Sequence, residues 1–325
     1  MRALVLDQPG PVESLHVQDI PQPTPGAGQI RVKVEAVGLN PVDYKLAGRG
    51  NPNWTYPHVL GLDVAGTVDA VGPEADQWKT GDRVYYHGDL NRPGGFAEYA
   101  LTTAHTAARV PENVSFTAAA ALPCAGLTAY QGIVRRLNLQ KGQSIWVQGG
   151  AGGVGGYGLQ FAAHIGAEAI TTASPANRAF VEKLGATHVI DYNTEDVVAR
   201  IMEITGGRGV DAVQAAVDPE TANQGVEVLA FGGAISCIAG LPDFDETTFA
   251  KATSLHRISL GAAHPSNNRQ AQEDLARMAD ELIALVAAGA VDPMVEETLS
   301  LEEIPAGLAR LQGRHVRGKI VAELG

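Results

Sequence analysis

Three glycines pose the first chemical question. Gly150, Gly152 and Gly155, within SIWVQGGAGGVGGYGLQFAAHIGA (Ser144 to Ala167), fit the spacing G-x-G-x-x-G. An overlapping register, Gly153, Gly155 and Gly158, fits it too. The flanks decide more than the pattern does. SIWVQ reads as a strand, and Val154, Phe161, Ala162 and Ile165 then recur at helical spacing. A glycine loop at a strand-to-helix turn lets the backbone approach a pyrophosphate at the positive end of the helix. The preferred reading is therefore a dinucleotide cradle in the first register, with Gly153 and Val154 inside it. The competing reading is a glycine-rich connection chosen only for close helix–sheet packing.

The next strand identifies the dinucleotide. An NAD site ordinarily places Asp or Glu about 20 residues past the first glycine, on the ribose 2′-hydroxyl. Here Glu168 precedes the strand and Glu182 lies well down the following helix. The strand end, AITTASPANR, carries Ser174, Asn177 and Arg178 instead. A guanidinium fork suits a 2′-phosphate, and no carboxylate at the strand end repels it. These residues point to NADPH. The alternative for Arg178 is an ordinary solvated charge in the first turn of a helix.

Two kinds of region position these groups. Up to Thr117 the chain reads as β structure. In IRVKVEAVG, Ile30, Val32, Val34 and Ala36 alternate with charged residues, the period of a half-buried strand. DVAGTVDAVG, DRVYYH and FAEYALT follow as short strands punctuated by Gly and Pro, which suggests a small barrel-like domain. SFTAAAALPCAGLTAYQGIVRRL reads as two helices broken near Pro123. From there to His264, strands (SIWVQ, EAITTAS, HVIDY, VDAVQAAV, GAISCIAG, RISLGAAH) alternate with helices, the signature of a doubly wound parallel sheet. After Pro265, Leu275, Met278, Leu282 and Leu285 mark an amphipathic helix with Gly289 as its stop, and HVRGKIVAELG reads as a last strand.

Bulk properties narrow the function. The 325 residues are 45% hydrophobic and 18% charged, enough for a real core, and the net charge of -12 disfavours duplex nucleic acid and anionic membrane surfaces. Two cysteines are too few for a disulfide framework. No stretch reaches the roughly 20 apolar residues of a membrane span. The expectation is a cytoplasmic protein acting on a small molecule, with no nucleic-acid or membrane partner.

The motifs together resemble the medium-chain dehydrogenase/reductase superfamily, in its zinc-independent quinone oxidoreductase (zeta-crystallin-like) branch. VGLNPVDYKLAGRG, YPHVLGLDVAGTVDAVG, GGFAEYA, AAALPCAGLTAYQGI, GAGGVGGYGLQFA, LGATHVIDY and RGKIVAEL carry the likeness along most of the chain. The resemblance implies an α/β protein with a GroES-like β-barrel catalytic domain and a Rossmann doubly wound parallel-sheet domain. The boundaries read as 1–117 completed by 265–325 for the first, and 118–264 for the second. It also implies a homodimer.

Zinc-dependent members have a cysteine where this chain has Asn40, and Gly-His-Glu where it has Gly61-Leu62-Asp63. Two of three expected ligands are therefore missing, which points away from catalytic zinc. Asn40, Tyr44 and Asp63 become the candidate catalytic residues: an amide and a phenol as donors to a substrate oxygen, and an acid beneath the site. Asn40 before Pro41 could equally cap a turn. The resemblance places Thr128 and Tyr192 at the cofactor, in agreement with Ser174, Asn177 and Arg178; Ile238 and Lys319 are further cofactor candidates, and Lys319 is explained about as well as an ordinary surface charge. Trp54, Tyr56, His87 and His264 are further possible pocket residues, each as readily a core or surface residue. The expected reaction is hydride transfer from NADPH to a quinone or α,β-unsaturated carbonyl. The alternatives are a 2-enoyl thioester reductase and a non-catalytic NADPH-binding protein.

Overall fold

The computed structural model describes residues 1–243, 245–314 and 316–324. The chain divides into two compact units: Met1–Leu127 with Leu260–Gly289 and Pro293–Gly325, and Thr128–Ser259 with Ala290–Asp292. The first unit thus takes in residues 118–127 and 260–264, which the sequence boundaries assign to the dinucleotide domain.

The first unit is built on a seven-stranded sheet. Its path runs Val295–Leu299, Lys319–Glu323, Gln29–Gly38, Asp63–Val71, Arg83–His87 and Ala108–Arg109, and Tyr99–Thr103 also pairs with Gln29–Gly38. The alternation in IRVKVEAVG buries Ile30, Val32, Val34 and Ala36 and exposes Lys33. Two register shifts, at Arg31/Val32 and Val34/Ala36, bend the pairing between Gln29–Gly38 and Asp63–Val71. Gly66 permits the close approach there, since a Cβ would lie 2.1 Å from the Lys33 carbonyl oxygen. Arg2–Leu6, His16–Asp19 and His58–Val59 form a separate three-stranded sheet. The last strand returns from the C-terminal segment to pair with the N-terminal one, Val321 opposite Gly38. Val295–Leu299, parallel to it, is a strand that the sequence reading does not anticipate.

The second unit is a six-stranded sheet. Its spatial order is His188–Ile190, Glu168–Thr172, Ser144–Val147, Val210–Ala215, Leu229–Cys237 and Ser254–Arg257, with every pair parallel. In chain order that is 3-2-1-4-5-6, the doubly wound arrangement whose switch point lies beside the first strand. The glycine loop leaves that strand. Trp146, Ile170, Val213 and Ile235 fill the sheet's core.

Two local expectations change. The break near Pro123 is present, between the Phe116–Ala120 helix and a turn at 121–122, but the second helix opens and closes in π-helical turns, Pro123–Leu127 and Gln131–Arg136, with α geometry over Thr128–Tyr130. The proline sits at the first position of its turn, where a missing N–H costs nothing. The strand assigned to RISLGAAH lies earlier, at Ser254–Arg257, and Leu260–Ala263 is a 3-10 turn. The amphipathic helix spans Arg269–Ala287 and is capped by the Asn268 side chain accepting from the Ala271 N–H at 3.1 Å. Among the described residues no helix is long and apolar enough to cross a membrane.

Candidate functional site

In the second unit the glycine loop separates two reasons for being glycine. A Cβ on Gly150 would lie 2.3 Å from Thr171 Oγ1, and one on Gly155 would lie 2.2 Å from the Gly149 carbonyl oxygen. Packing alone excludes side chains at both. Gly152 differs: a Cβ there would meet nothing closer than 3.4 Å, an ordinary contact. Gly152 is the N-cap of the Gly153–Ile165 helix, and no side chain caps that helix. Its first-turn N–H groups, on Gly153, Val154 and Gly155, therefore face an open cradle suited to phosphate oxygens. Behind the loop lie two buried amides, one tied to the Pro219–Val228 helix and one to the loop's own helix. Gln148 Nε2 donates to the Thr221 carbonyl at 2.6 Å, and Gln214 Nε2 donates to the Val154 carbonyl at 3.4 Å. Sequence reasoning passes over these glutamines because polar residues at strand ends carry no signal of their own.

Ser174, Asn177 and Arg178 follow the Glu168–Thr172 strand, and Tyr192 follows the adjacent His188–Ile190 strand. Arg178 ties the two: Nη2 donates to the Val189 carbonyl at 3.0 Å, and Nη1 lies 3.5 Å from Glu182 Oε1. Its side chain remains about half exposed, at 47%, and Tyr192 is exposed at 56%. Asp191 also acts on Arg178. Its carboxyl is held below the ordinary range, first by the Asn193 N–H and, among smaller effects, by the Arg178 charge. No carboxylate occupies 173–177. Ile238 continues the Leu229–Cys237 strand, its N–H on the Ala215 carbonyl at 2.9 Å, and Thr128 is buried at the start of its helical turn.

In the first unit, Asn40 and Asp63 come together. Asn40 Nδ2 donates to Asp63 Oδ2 at 2.9 Å and to the Gly38 carbonyl at 3.3 Å. The amide's oxygen accepts from Lys319 Nζ at 2.6 Å, and the same ammonium donates to the Leu39 carbonyl at 3.1 Å and lies 3.5 Å from Asp63 Oδ2. Asp63 Oδ1 accepts from the Cys124 N–H at 2.8 Å. Asn40, Asp43, Asp63 and Lys319 are all buried.

Several expectations shift accordingly. Both ends of the Asn40 amide are engaged inside the protein, so it fixes its neighbours rather than presenting a free donor. Asn40 also begins the Pro41–Arg49 helix, but through its backbone: its N–H donates to Asp43 Oδ2 at 2.8 Å, and its carbonyl accepts from the Asp43 N–H at 3.0 Å. Lys319, expected at the cofactor, has its ammonium held by this cluster. Tyr44 packs against the apolar core. Trp54 stacks on His58 at 3.9 Å and donates to the Leu90 carbonyl at 2.7 Å, so it is a core residue.

The electrostatics follow from burial. Two carboxyls share one ammonium in a dry environment. Asp43 is pushed up to about 8, mainly by burial and further by the Asp63 charge, against the Asn40 N–H. Asp63 is also raised by burial, against the attraction of Lys319. Asp43, which is not among the candidate catalytic residues of the sequence, is thus a full member of the cluster. No sequence spacing joins residues 43, 63 and 319.

Comparison with known proteins gives two family matches. Residues 26–112 match the Alcohol dehydrogenase GroES-like domain and residues 153–284 the Zinc-binding dehydrogenase family. A quinone oxidoreductase of Pseudomonas aeruginosa is 30% identical over 323 residues, covering 96% of both chains. The chain belongs to the medium-chain dehydrogenase/reductase family. The solved structure of a Pseudomonas syringae quinone oxidoreductase superposes with a TM-score of 0.89 at 30% identity, covering 99% of each chain. A mycobacterial protein solved in complex with NADPH superposes with a TM-score of 0.88 at 31% identity, covering 99% of this chain and 100% of that one. The fold is the GroES-like and Rossmann combination, and the protein is an oxidoreductase of the quinone oxidoreductase-like group that uses a nicotinamide cofactor.

The Asp43 shift sets a pH dependence. A folded pKa raised above the unfolded value makes Asp43 favour folding fully at low pH. That contribution is lost as pH rises from about 4 to about 8, because only the unfolded chain releases the proton there. Urea unfolding of wild type and Asp43→Asn at pH 5 and pH 9 checks this. Wild type should lose ground to the variant at pH 9. A stability difference that stays constant between the two pH values would contradict it.

Proposed function

We propose that the protein is an NADPH-dependent reductase of quinones or α,β-unsaturated carbonyls that works without catalytic zinc. The observation that carries this reading is the closed Asn40–Lys319–Asp63 cluster. Where zinc-dependent relatives have metal ligands, this chain has an amide and an apolar side chain. The charge facing the buried carboxylate is an ammonium supplied by the protein itself. An amide whose oxygen already accepts from Lys319 is a poor zinc donor.

The cofactor assignment rests on the chain's own groups. The uncapped helix start at Gly152 would hold the pyrophosphate through N–H groups. Ser174, Asn177, Arg178 and Tyr192 would hold the adenosine 2′-phosphate, with no carboxylate at 173–177 to repel it. The NADPH complex of a relative at 31% identity supports the same choice. When bound, the nicotinamide supplies the hydride. The protein's work is to hold and orient. Asn40 is a positioning residue: its amide keeps Asp63 and Lys319 in register at the end of the Gln29–Gly38 strand. A conjugated carbonyl needs only hydrogen bonds and one proton as negative charge gathers on its oxygen, so no Lewis acid is required of the site.

Two measurements test the reading. Purified protein mixed with NADPH and 1,4-benzoquinone or 9,10-phenanthrenequinone should oxidise the cofactor, and EDTA or 1,10-phenanthroline should leave the rate unchanged. Tight NADPH binding with no oxidation across quinones, enones and enoyl thioesters would contradict the reductase reading; loss of rate with chelators would contradict the zinc-free one. Separately, Arg178→Ala should weaken NADPH binding about tenfold, some 1.4 kcal/mol, while NADH binding changes little. Equal losses for both cofactors would remove Arg178 from the 2′-phosphate.

A further inference from the structure

Gln214 is more polar than its place in the fold requires. It lies on the Val210–Ala215 strand between Val213 and Ala215, both buried, and is itself 0% exposed. Its Oε1 is buried without a hydrogen-bond partner. A buried polar atom left unmet is a cost, and an apolar side chain of the same length would fill the space without it. The chain also keeps a glycine for this amide. A Cβ on Gly158 would lie 2.0 Å from Gln214 Oε1 and 3.0 Å from Gln214 Cδ. The Gly153–Ile165 helix therefore rests against the amide only because residue 158 has no side chain. What remains to explain Gln214 is its donor.

That donor meets the helix start. Gln214 Nε2 donates to the Val154 carbonyl at 3.4 Å. The Val154 carbonyl and the Gly155 N–H belong to one planar peptide group, so whatever orients the oxygen also orients the hydrogen. The Gly155 N–H is among the first-turn donors that the uncapped helix leaves open. Hydrogen bonds in a chain polarise one another: a donor on the carbonyl oxygen strengthens the N–H across the same plane. Gln214 is fixed in its turn by the sheet. It pairs with Val147 in the parallel ladder, and its carbonyl accepts from the Gln148 N–H at 3.1 Å. The amide is thus mounted on the sheet and reaches a peptide whose other side faces the cradle. Its bond is long, as hydrogen bonds at functional sites often are before a ligand draws them tight.

We propose that Gln214 is a positioning residue of the cofactor cradle: its amide holds and polarises the Val154–Gly155 peptide, so that the Gly155 N–H donates more strongly to the pyrophosphate of a bound dinucleotide. The proposal deepens the reductase reading and rests on its assignment of the glycine loop to the cofactor. It divides the affinity between two groups. Arg178 acts on the 2′-phosphate, which only NADPH carries, whereas Gln214 acts on the pyrophosphate that NADPH and NADH share.

Gln214→Met keeps the length and removes the donor together with the unmet oxygen. In calorimetric titration of the full chain, this variant should bind NADPH, NADH and ADP-ribose each about fivefold more weakly than wild type. Its unfolding temperature should not fall, because the unmet oxygen leaves with the donor. Gly158→Ala drives the amide off the peptide and should give a similar loss, yet it should add nothing in a Gln214→Ala background, where the space is free. Unchanged affinities in Gln214→Met, a loss confined to NADPH, a lower unfolding temperature for Gln214→Met, or losses from Gly158→Ala and Gln214→Ala that simply add would each overturn the proposal. NADPH oxidation with 9,10-phenanthrenequinone, run in parallel, separates the two claims. If wild type binds and oxidises NADPH while Gln214 has no effect on binding, the positioning role fails alone. If binding depends on Gln214 but no quinone is reduced, the reductase reading fails alone.

Discussion

One buried ammonium organises the first unit. Lys319 enters on the last strand, 279 residues beyond Asn40, and donates to that side chain and to the Leu39 carbonyl. The strand that carries it pairs with the end of the Gln29–Gly38 strand. The ion contact and the ladder therefore hold the two ends of the chain in one sheet, although the second unit intervenes in sequence. Taking an ammonium and a carboxylate out of water is expensive, and their attraction offsets it only if hydrogen bonds satisfy the rest of each group. Here they do: Asp63 also accepts from the Asn40 amide and the Cys124 N–H. Asn40 is the residue that cannot be exchanged for a plain apolar one, because it faces a donor on one side and an acceptor on the other.

The same economy of polar groups appears around the cofactor loop. Gly150 and Gly155 are glycine because strand and helix crowd them; Gly152 is glycine where space is open. The loop thus combines a packing constraint with an exposed helix start. The packing reading accounts for Gly150 and Gly155, and leaves Gly152 to the cradle reading. Arg178 is likewise tethered, by the Val189 carbonyl and Glu182, so in the proposed cofactor role less side-chain freedom would remain to be lost on binding.

What could be read from sequence follows from range. Alternation and helical spacing are local, and they placed the Gln29–Gly38 strand, the parallel-sheet strands and the Arg269–Ala287 helix. Where local rules compete, detail departs from them: the helix after Pro123 winds into π turns at both ends, and the last strand of the parallel sheet lies at Ser254–Arg257 rather than at the more apolar RISL. The cluster shows the larger gap. Asn40 stands out as a departure from the zinc-dependent pattern, and Asp63 as the counterpart of the family's acidic residue. Asp43 and Lys319 could not be joined to them, because only the fold brings residues 40, 43, 63 and 319 together. The stacked His87–His264 pair and the reach of the Gln214 amide are invisible for the same reason: nothing in sequence says which polar atoms meet.

The central claim is that Lys319 and Asp63 act as one buried unit bridged by Asn40. A double-mutant cycle on folding stability, with Lys319→Met, Asp63→Leu and the pair measured by urea unfolding, tests it most directly. Each single change strands a buried charge and should cost about 3–5 kcal/mol, whereas the double change should cost far less than the sum, a coupling of about 2 kcal/mol or more. Single effects that add to within about 0.5 kcal/mol would show that the two charges do not depend on each other, and would contradict the account.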